Sequence, residues 1–152
     1  MYKPKNAKGV KMSMVVQKLA STPQATTTSQ ADYEKTEVAY TCETGASYVV
    51  YEVTAQWHED PDLTHSYFFM DLWEKVGENW AKLGTGYRWT EIFQYLSGQS
   101  IMSCAITLPA YTGTRSYKLR TRSYGSVARD ATFNEDEDGN RFDPIIKIYS
   151  VM

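Results

Sequence analysis

The chain has 152 residues, 42% hydrophobic and 22% charged, which suits one folded domain with a self-sufficient core and excludes a disordered chain. A formal net charge of −2 provides no basic field for a phosphate backbone, so nucleic acid is not an expected partner. Two cysteines are too few for a disulfide scaffold or a cysteine-based zinc site, and no apolar stretch reaches the length of a transmembrane helix.

The amino terminus carries Lys3, Lys5, Lys8 and Lys11. The MSMVVQK around it is too short and too polar for the hydrophobic region of a signal peptide. The expectation is a protein not exported by that route, or a chain from which a leader has been removed. From Gly9 to Lys18 the pattern alternates: Val10, Met12, Met14 and Val16 share one side, Lys11 and Ser13 the other, which predicts a strand. STPQATTTSQ at 21–30 reads as a Ser/Thr-rich linker. Residues 1–34 are therefore expected to form an arm and 35–152 the body. A strand on a tether is what a subunit-exchanged arm requires, and Val10, Met12, Met14 and Val16 are its candidate assembly contacts.

The body reads as successive strands. Thr36 to Thr44 places Val38, Tyr40 and Cys42 on one face, and Ala46 to Trp57 turns Val49, Tyr51, Val53, Ala55 and Trp57 inward. After the loop HEDPDLTH, Phe68, Met70 and Leu72 align, and Gly77-Glu78-Asn79 turns the chain into WAKLG as a hairpin. RWTEIFQYLSG is the one helical reading: Trp89, Phe93 and Leu96 fall at helical spacing, Thr90 can cap and Gly98 stops it. Strands resume with Met102, Cys104, Ile106 and Leu108 aligned, then Tyr117, Leu119 and Thr121, and IIKIYSVM closes the chain. Short strands with turn signals between them predict an all-β antiparallel sandwich or barrel with one short crossover helix.

FFMDLWEKVGENWAKLG and SCAITLPAYTGTRSYKLRTRSYG, within 67–124, carry a resemblance. An aromatic-rich xWxKxGxxW hairpin precedes a strand with Gly113, Tyr117 and Arg120. This resembles small immunoglobulin-like domains of secreted proteins from Gram-positive bacteria. The resemblance implies an immunoglobulin-like sandwich with Tyr117 at the tyrosine corner, its hydroxyl bonding back to the backbone. Leu119 stands where the second cysteine of an antibody domain would be.

Candidate sites are few. His58 and His65 read as members of one loop, and no G-x-S-x-G elbow is present. A Cys104–His pair would need Cys104 to leave the core face, so no catalytic residue is assigned. Cys42 and Cys104 both face inward, which allows a disulfide, but strands flanking a third would hold them roughly 10 Å apart, so two free buried thiols are the favoured reading. Asp136, Asp138, Asn140 and Asp143 surround a Gly139 turn with oxygen ligands of the kind calcium takes; without a closing Glu or flanking helices, a solvated acidic turn is the plainer reading and no cofactor is expected. Arg115, Lys118, Arg120 and Arg122 lie mostly on the outward phase of one strand, beside Tyr124. They form either a basic stripe for an acidic partner surface or a solvated strand guarded against edge pairing. Trp80, Tyr87, Trp89 and Tyr95 are a candidate glycan platform, although Trp89 at helical spacing with Phe93 suits a core better.

These readings rank three functions. The first is a non-catalytic structural subunit of a self-assembling particle or filament, a virion or surface appendage, that forms homo-oligomers through the arm. The second is a secreted or cell-surface module binding glycan or protein. The third is an enzyme.

Overall fold

A computed structural model describes residues 13–18, 24–25, 29–33, 35–59, 65–84, 88–94, 99–123, 131–134, 138–140 and 143–152. They form twelve strands: β1 (Met14–Lys18), β2 (Gln24–Ala25), β3 (Ala31–Asp32), β4 (Val38–Thr41), β5 (Tyr48–Glu59), β6 (His65–Val76), β7 (Asn79–Lys82), β8 (Arg88–Gln94), β9 (Gln99–Pro109), β10 (Thr114–Ser123), β11 (Ala131–Phe133) and β12 (Ile145–Val151). All pairings are antiparallel and they build two six-stranded sheets.

In the first sheet β5 is central. One of its edges pairs with β9 from Tyr48↔Pro109 to His58↔Gln99. The other pairs with β12 and then β11, while β1 adds outside β12 and β2 outside β11. In the second sheet β10 lies between β6 and the short strands β4 and β3; β8 and β7 extend β6 on its far side. The chain path is a nested hairpin. β1 pairs with β12, β4 with β10, β5 with β9 and β6 with β8, each pair enclosed in sequence by the one before and placed in the alternate sheet. Two further pairings, β12 with β5 and β10 with β6, join the windings within each layer.

The inward phases agree with the alternation in the sequence, because a strand with one buried face must alternate with period two. Val49, Tyr51, Val53, Ala55 and Trp57 of β5 face Phe68, Met70 and Leu72 of β6, and Tyr117 and Leu119 of β10, across a single core. Aromatic rings stitch the layers in a zigzag. Trp57 meets Phe68 edge-on at 5.3 Å, Phe68 meets Phe133 at 4.9 Å, and Phe133 meets Tyr33 at 5.2 Å. Phe133 and Trp57 come from the first sheet, Phe68 from the second, so each contact crosses the interior. The row ends where the Tyr33 hydroxyl donates to Asn134 Oδ1.

Two groups of buried polar atoms are satisfied in closed sets, as burial requires. Thr36 Oγ1 donates to the Tyr33 carbonyl at 2.7 Å and accepts from the Leu119 amide at 3.0 Å, while the Tyr51 hydroxyl donates to the Thr36 carbonyl at 3.0 Å. A second set ties the first strand to the last. The Glu43 amide donates to Ser150 Oγ at 3.0 Å, Ser150 Oγ and the Tyr40 hydroxyl lie 2.8 Å apart, and Tyr40 donates to the Ser13 carbonyl at 2.9 Å.

The predicted crossover helix is not formed. Arg88–Gln94 is a strand whose residues pair one for one with His65–Asp71. The spacing of Trp89 and Phe93 suits a helix, but Trp89, Thr90, Ile92 and Phe93 are all strand formers, and the long β6 offers an edge for them to pair. Tertiary pairing outweighs a local preference worth only tenths of a kcal/mol per residue. Leu96 and Gly98 lie outside the described residues. The hairpin at Gly77-Glu78 is present, with Gly77 at φ 62°, a left-handed conformation that favours glycine.

Burial pushes the Cys104 thiol from its ordinary 9.0 up to about 11 and the Tyr117 hydroxyl from 10.0 to about 12. Tyr33, Tyr51 and Tyr111 are raised further, with burial again the leading cause. Each group keeps in the folded state a proton that the unfolded chain releases, so its contribution is complete below the ordinary value and is lost as pH rises toward the folded one. Stability should therefore fall steeply from about pH 9 toward pH 12. In an alkaline titration, the late-ionising tyrosinate absorbance should rise together with loss of the β-sheet circular dichroism. Complete tyrosine ionisation with an intact β signal would contradict this.

Candidate functional site

The outer face of the second sheet gathers the richest set of charged and aromatic side chains among the described residues. β10 turns Leu119 and Thr121 into the core, so the alternate residues Lys118, Arg120 and Arg122 stand on the outer face. β6 has the same alternation: Phe68, Met70 and Leu72 go inward, which leaves Phe69, Asp71 and Trp73 outside. In register Lys118 opposes Trp73, Arg120 opposes Asp71 and Arg122 opposes Phe69.

The cations lie on the rings. Lys118 Nζ sits 4.4 Å from the Trp80 centroid, the Arg120 guanidinium 4.5 Å from that of Trp73, and the Arg122 guanidinium 4.8 Å from that of Phe69. The Arg120 guanidinium lies over Trp73, the diagonal neighbour of its partner Asp71, and Lys118 lies over Trp80 of β7, beyond its partner Trp73. Such stacks are worth about 0.5–1 kcal/mol each where exposed and about 2 kcal/mol where desolvated. Two carboxylates anchor the ladder. Asp32 of β3 takes Lys118 Nζ at 2.7 Å and Arg120 Nε at 2.9 Å. Asp71, fully buried, takes Lys82 Nζ at 3.0 Å and the Gln30 amide. Arg120 also donates to the Gln30 carbonyl at 2.9 Å.

The basic stripe and one member of the glycan platform thus merge into a single surface. Arg115 is not part of it. On the opposite phase of β10, it stacks 4.6 Å over Tyr111 and pairs with Glu74 at 2.9 Å. Trp80 carries Lys118 over one face of its ring. Tyr87, Tyr95 and Tyr124 lie outside the described residues, and β8 fixes Trp89 by its backbone register opposite Met70. Sequence reasoning missed Phe69, Asp71, Trp73, Asp32 and Gln30. The outward phase of β6 was the available signal for the first three, since naming Phe68, Met70 and Leu72 as inward already assigns Phe69, Asp71 and Trp73 to the other face.

The remaining candidates separate. His58 belongs to β5 and His65 opens β6, so both are strand residues rather than members of one loop. His58 is on the outer phase of its sheet and Cys104 on the inner, and burial keeps the Cys104 thiol protonated at neutral pH, which removes its nucleophilic form. Cys42 and Cys104 are free and buried, the first just after β4 of the second sheet and the second in β9 of the first sheet. Tyr117 is buried, its ring centroid 6.5 Å from that of Tyr51 and 6.1 Å from that of Tyr111. Asp138 and Asn140 are exposed around Gly139 at φ 81°, Asp143 is half-buried, and Asp136 lies outside the described residues. Among the described residues no three acidic, histidine or cysteine side chains gather as a metal site would need.

Of the assembly contacts, Val10 and Met12 lie outside the described residues. Met14 and Val16 of β1 are on the outer face of the first sheet, 51% and 57% exposed, while Val15 between them packs on the core. At one end of the sandwich a shallow depression of about 330 Å³ lies between the turns Glu43–Ala46 and Ala110–Gly113. Its described lining offers the Glu43 carboxylate and the Cys42 thiol, without a base to act on either. Among the described residues no helix is long and apolar enough to cross a membrane. No protein-family model matches the chain, and no curated protein sequence matches it.

Proposed function

We propose that the protein is a non-catalytic structural subunit of a self-assembling particle or filament, as in a virion or surface appendage. The observation that carries this reading is the path of the chain. A nested antiparallel hairpin wound into two sheets is the plan of the double-sheet jelly roll, an architecture of viral capsid subunits and also of lectins and cupins. Shared architecture links the chain to such subunits by analogy of fold. The β5–β9 and β6–β10 pairings suit an immunoglobulin-like sandwich as well, but there the last strand would join the sheet of β10, whereas β12 lies beside β5.

Side-chain chemistry supports subunit contacts over catalysis. Met14 and Val16 present apolar surface to solvent from a strand at the margin of the first sheet. The ladder on the second sheet holds its guanidinium groups 4.5 and 4.8 Å from ring centroids, an arrangement that offers ordered donors to an acidic partner surface at little further entropic cost. In this reading residues 1–34 act as an arm whose strand, paired here with β12 of its own chain, adds instead to a neighbouring copy.

Light scattering on the full chain and on a version lacking residues 1–20 tests the proposal. The full chain should form assemblies of many subunits, and the truncated chain should fall to small species. Because truncation also uncovers β12, the pair Met14→Lys, Val16→Lys, which keeps the backbone, should weaken assembly in the same direction. A full chain that stays monomeric at every concentration, with a positive glycan array, would replace this reading with the lectin-like one.

A further inference from the structure

We infer that the open edge of β9 is a subunit interface, occupied by β9 of a second copy in antiparallel register; this rests on the self-assembly reading above. β9 runs eleven residues, Gln99–Pro109, and pairs with β5 along one edge. Among the described residues no strand pairs with its other edge. Free edges are templates for further strands, and proteins blunt them with charges, prolines or short lengths.

The other margins of both sheets follow that rule. β1 has five residues and includes Lys18, and β2 has two. β3 has two residues and includes Asp32, and β4 has four, flanked by Glu37 and Glu43. β7 ends on Lys82, and β8 contains Arg88 and Glu91. β9 alone is long and unguarded: QSIMSCAITLP has no charged residue, and its proline stands at the last position, where it stops pairing without interrupting it.

Charge and symmetry select the occupant. β9 against itself brings no two charges together, whereas any of the charged margins would have to desolvate a lysine, arginine or carboxylate to lie beside it. An antiparallel strand pair is its own two-fold partner, so the contact closes as a dimer and uses the same patch on both copies. With the axis at the middle residue, Cys104, outward Ile101 meets Thr107 of the second copy and Ser103 meets Ala105. These are branched and small side chains that pack on a flat ladder. The inward side chains lend a second, independent sign. Met102, Cys104 and Ile106 remain 6–7% exposed, while Val49, Val53 and Ala55 on the adjacent β5 are at 0–1%. The core is thus not fully sealed along this margin, and a second copy would extend the first sheet and complete it.

The test compares the full chain with the double variant Ser103→Lys, Ala105→Lys, whose positions face each other across the axis, by sedimentation velocity over a concentration series. Both residues are on the outer phase and exposed, so the melting temperature should stay near that of the parent. Like charges facing each other across the axis should weaken the dimer step by tenfold or more. A parent that assembles, with a variant whose association is unchanged, overturns the β9 interface and leaves the self-assembly reading in place. A parent that is monomeric throughout overturns both. Should the variant melt early, hydrogen exchange on the unaltered chain decides: amides of residues 101–107 should gain protection as concentration rises, and equal exchange at high and low concentration refutes the interface.

Discussion

Trp57→Ala should lower unfolding stability by about 3–5 kcal/mol, which for a domain of this size lowers the melting temperature by on the order of 10 °C. Trp57 is fully buried at the end of β5, and its ring starts the zigzag through Phe68 and Phe133 to Tyr33. Truncation removes the edge-on contact to Phe68 and leaves a void at a point where both sheets meet. The surrounding strands are tied into two ladders and can close that void only in part. Trp57→Phe keeps a ring against Phe68 and should cost less than half as much. Urea unfolding followed by circular dichroism measures both, and a loss below about 1 kcal/mol for the alanine variant would mean the zigzag contributes little.

Asp71→Ala should cost about 3 kcal/mol, although the residue is on the outer face of its sheet. Its carboxylate is fully buried because Lys82 and Gln30 close over it, and β10 places Arg120 directly opposite in register. Removing the anion leaves Lys82, Lys118, Arg120 and Arg122 on one face with Asp32 as the remaining carboxylate of the ladder. Asp71→Asn keeps an acceptor for Gln30 but loses the charge and should fall between the alanine variant and the parent. Lys82→Gln should cost less than Asp71→Ala, since the Lys82 side chain is partly in water. A double-mutant cycle over Asp71 and Lys82 isolates their coupling, expected at about 1 kcal/mol or more. Zero coupling would assign the burial of Asp71 to its other partners.

The sequence showed the faces of the strands clearly and their order hardly at all. Val49 to Trp57 could be assigned inward because alternation is a local consequence of one buried face, and every one of those odd positions is buried. The same reasoning placed Lys118, Arg120 and Arg122 outward. What they touch was not legible, because Trp73 and Trp80 reach them only through the register of β6 with β10 and of β7 with β6. Strand order is set by which edges find each other across the chain, and no local pattern near Ile145 announces that β12 belongs beside β5. β8 was misread for a related reason. Trp89, Phe93 and Leu96 satisfy a helical period by chance of spacing, and the fact that settles the matter is the edge of β6, an earlier strand whose residues Asp71 to His65 pair with Arg88 to Gln94.

The nested path also governs the order in which the protein can be made. β5 is the central strand of its sheet, yet both long neighbours, β9 and β12, follow it on the chain, and β1 has its partner only in β12. During synthesis the first half of the polypeptide therefore leaves the ribosome with its most apolar strand unpaired. The outermost winding closes last, when the final seven-residue strand becomes available. Distant pairings of this kind place folding in the millisecond-to-second range and lengthen the exposure of sticky intermediates. Expression at low temperature or slowed translation should accordingly raise the yield of soluble protein, because each nascent chain then meets fewer others before its last strand arrives.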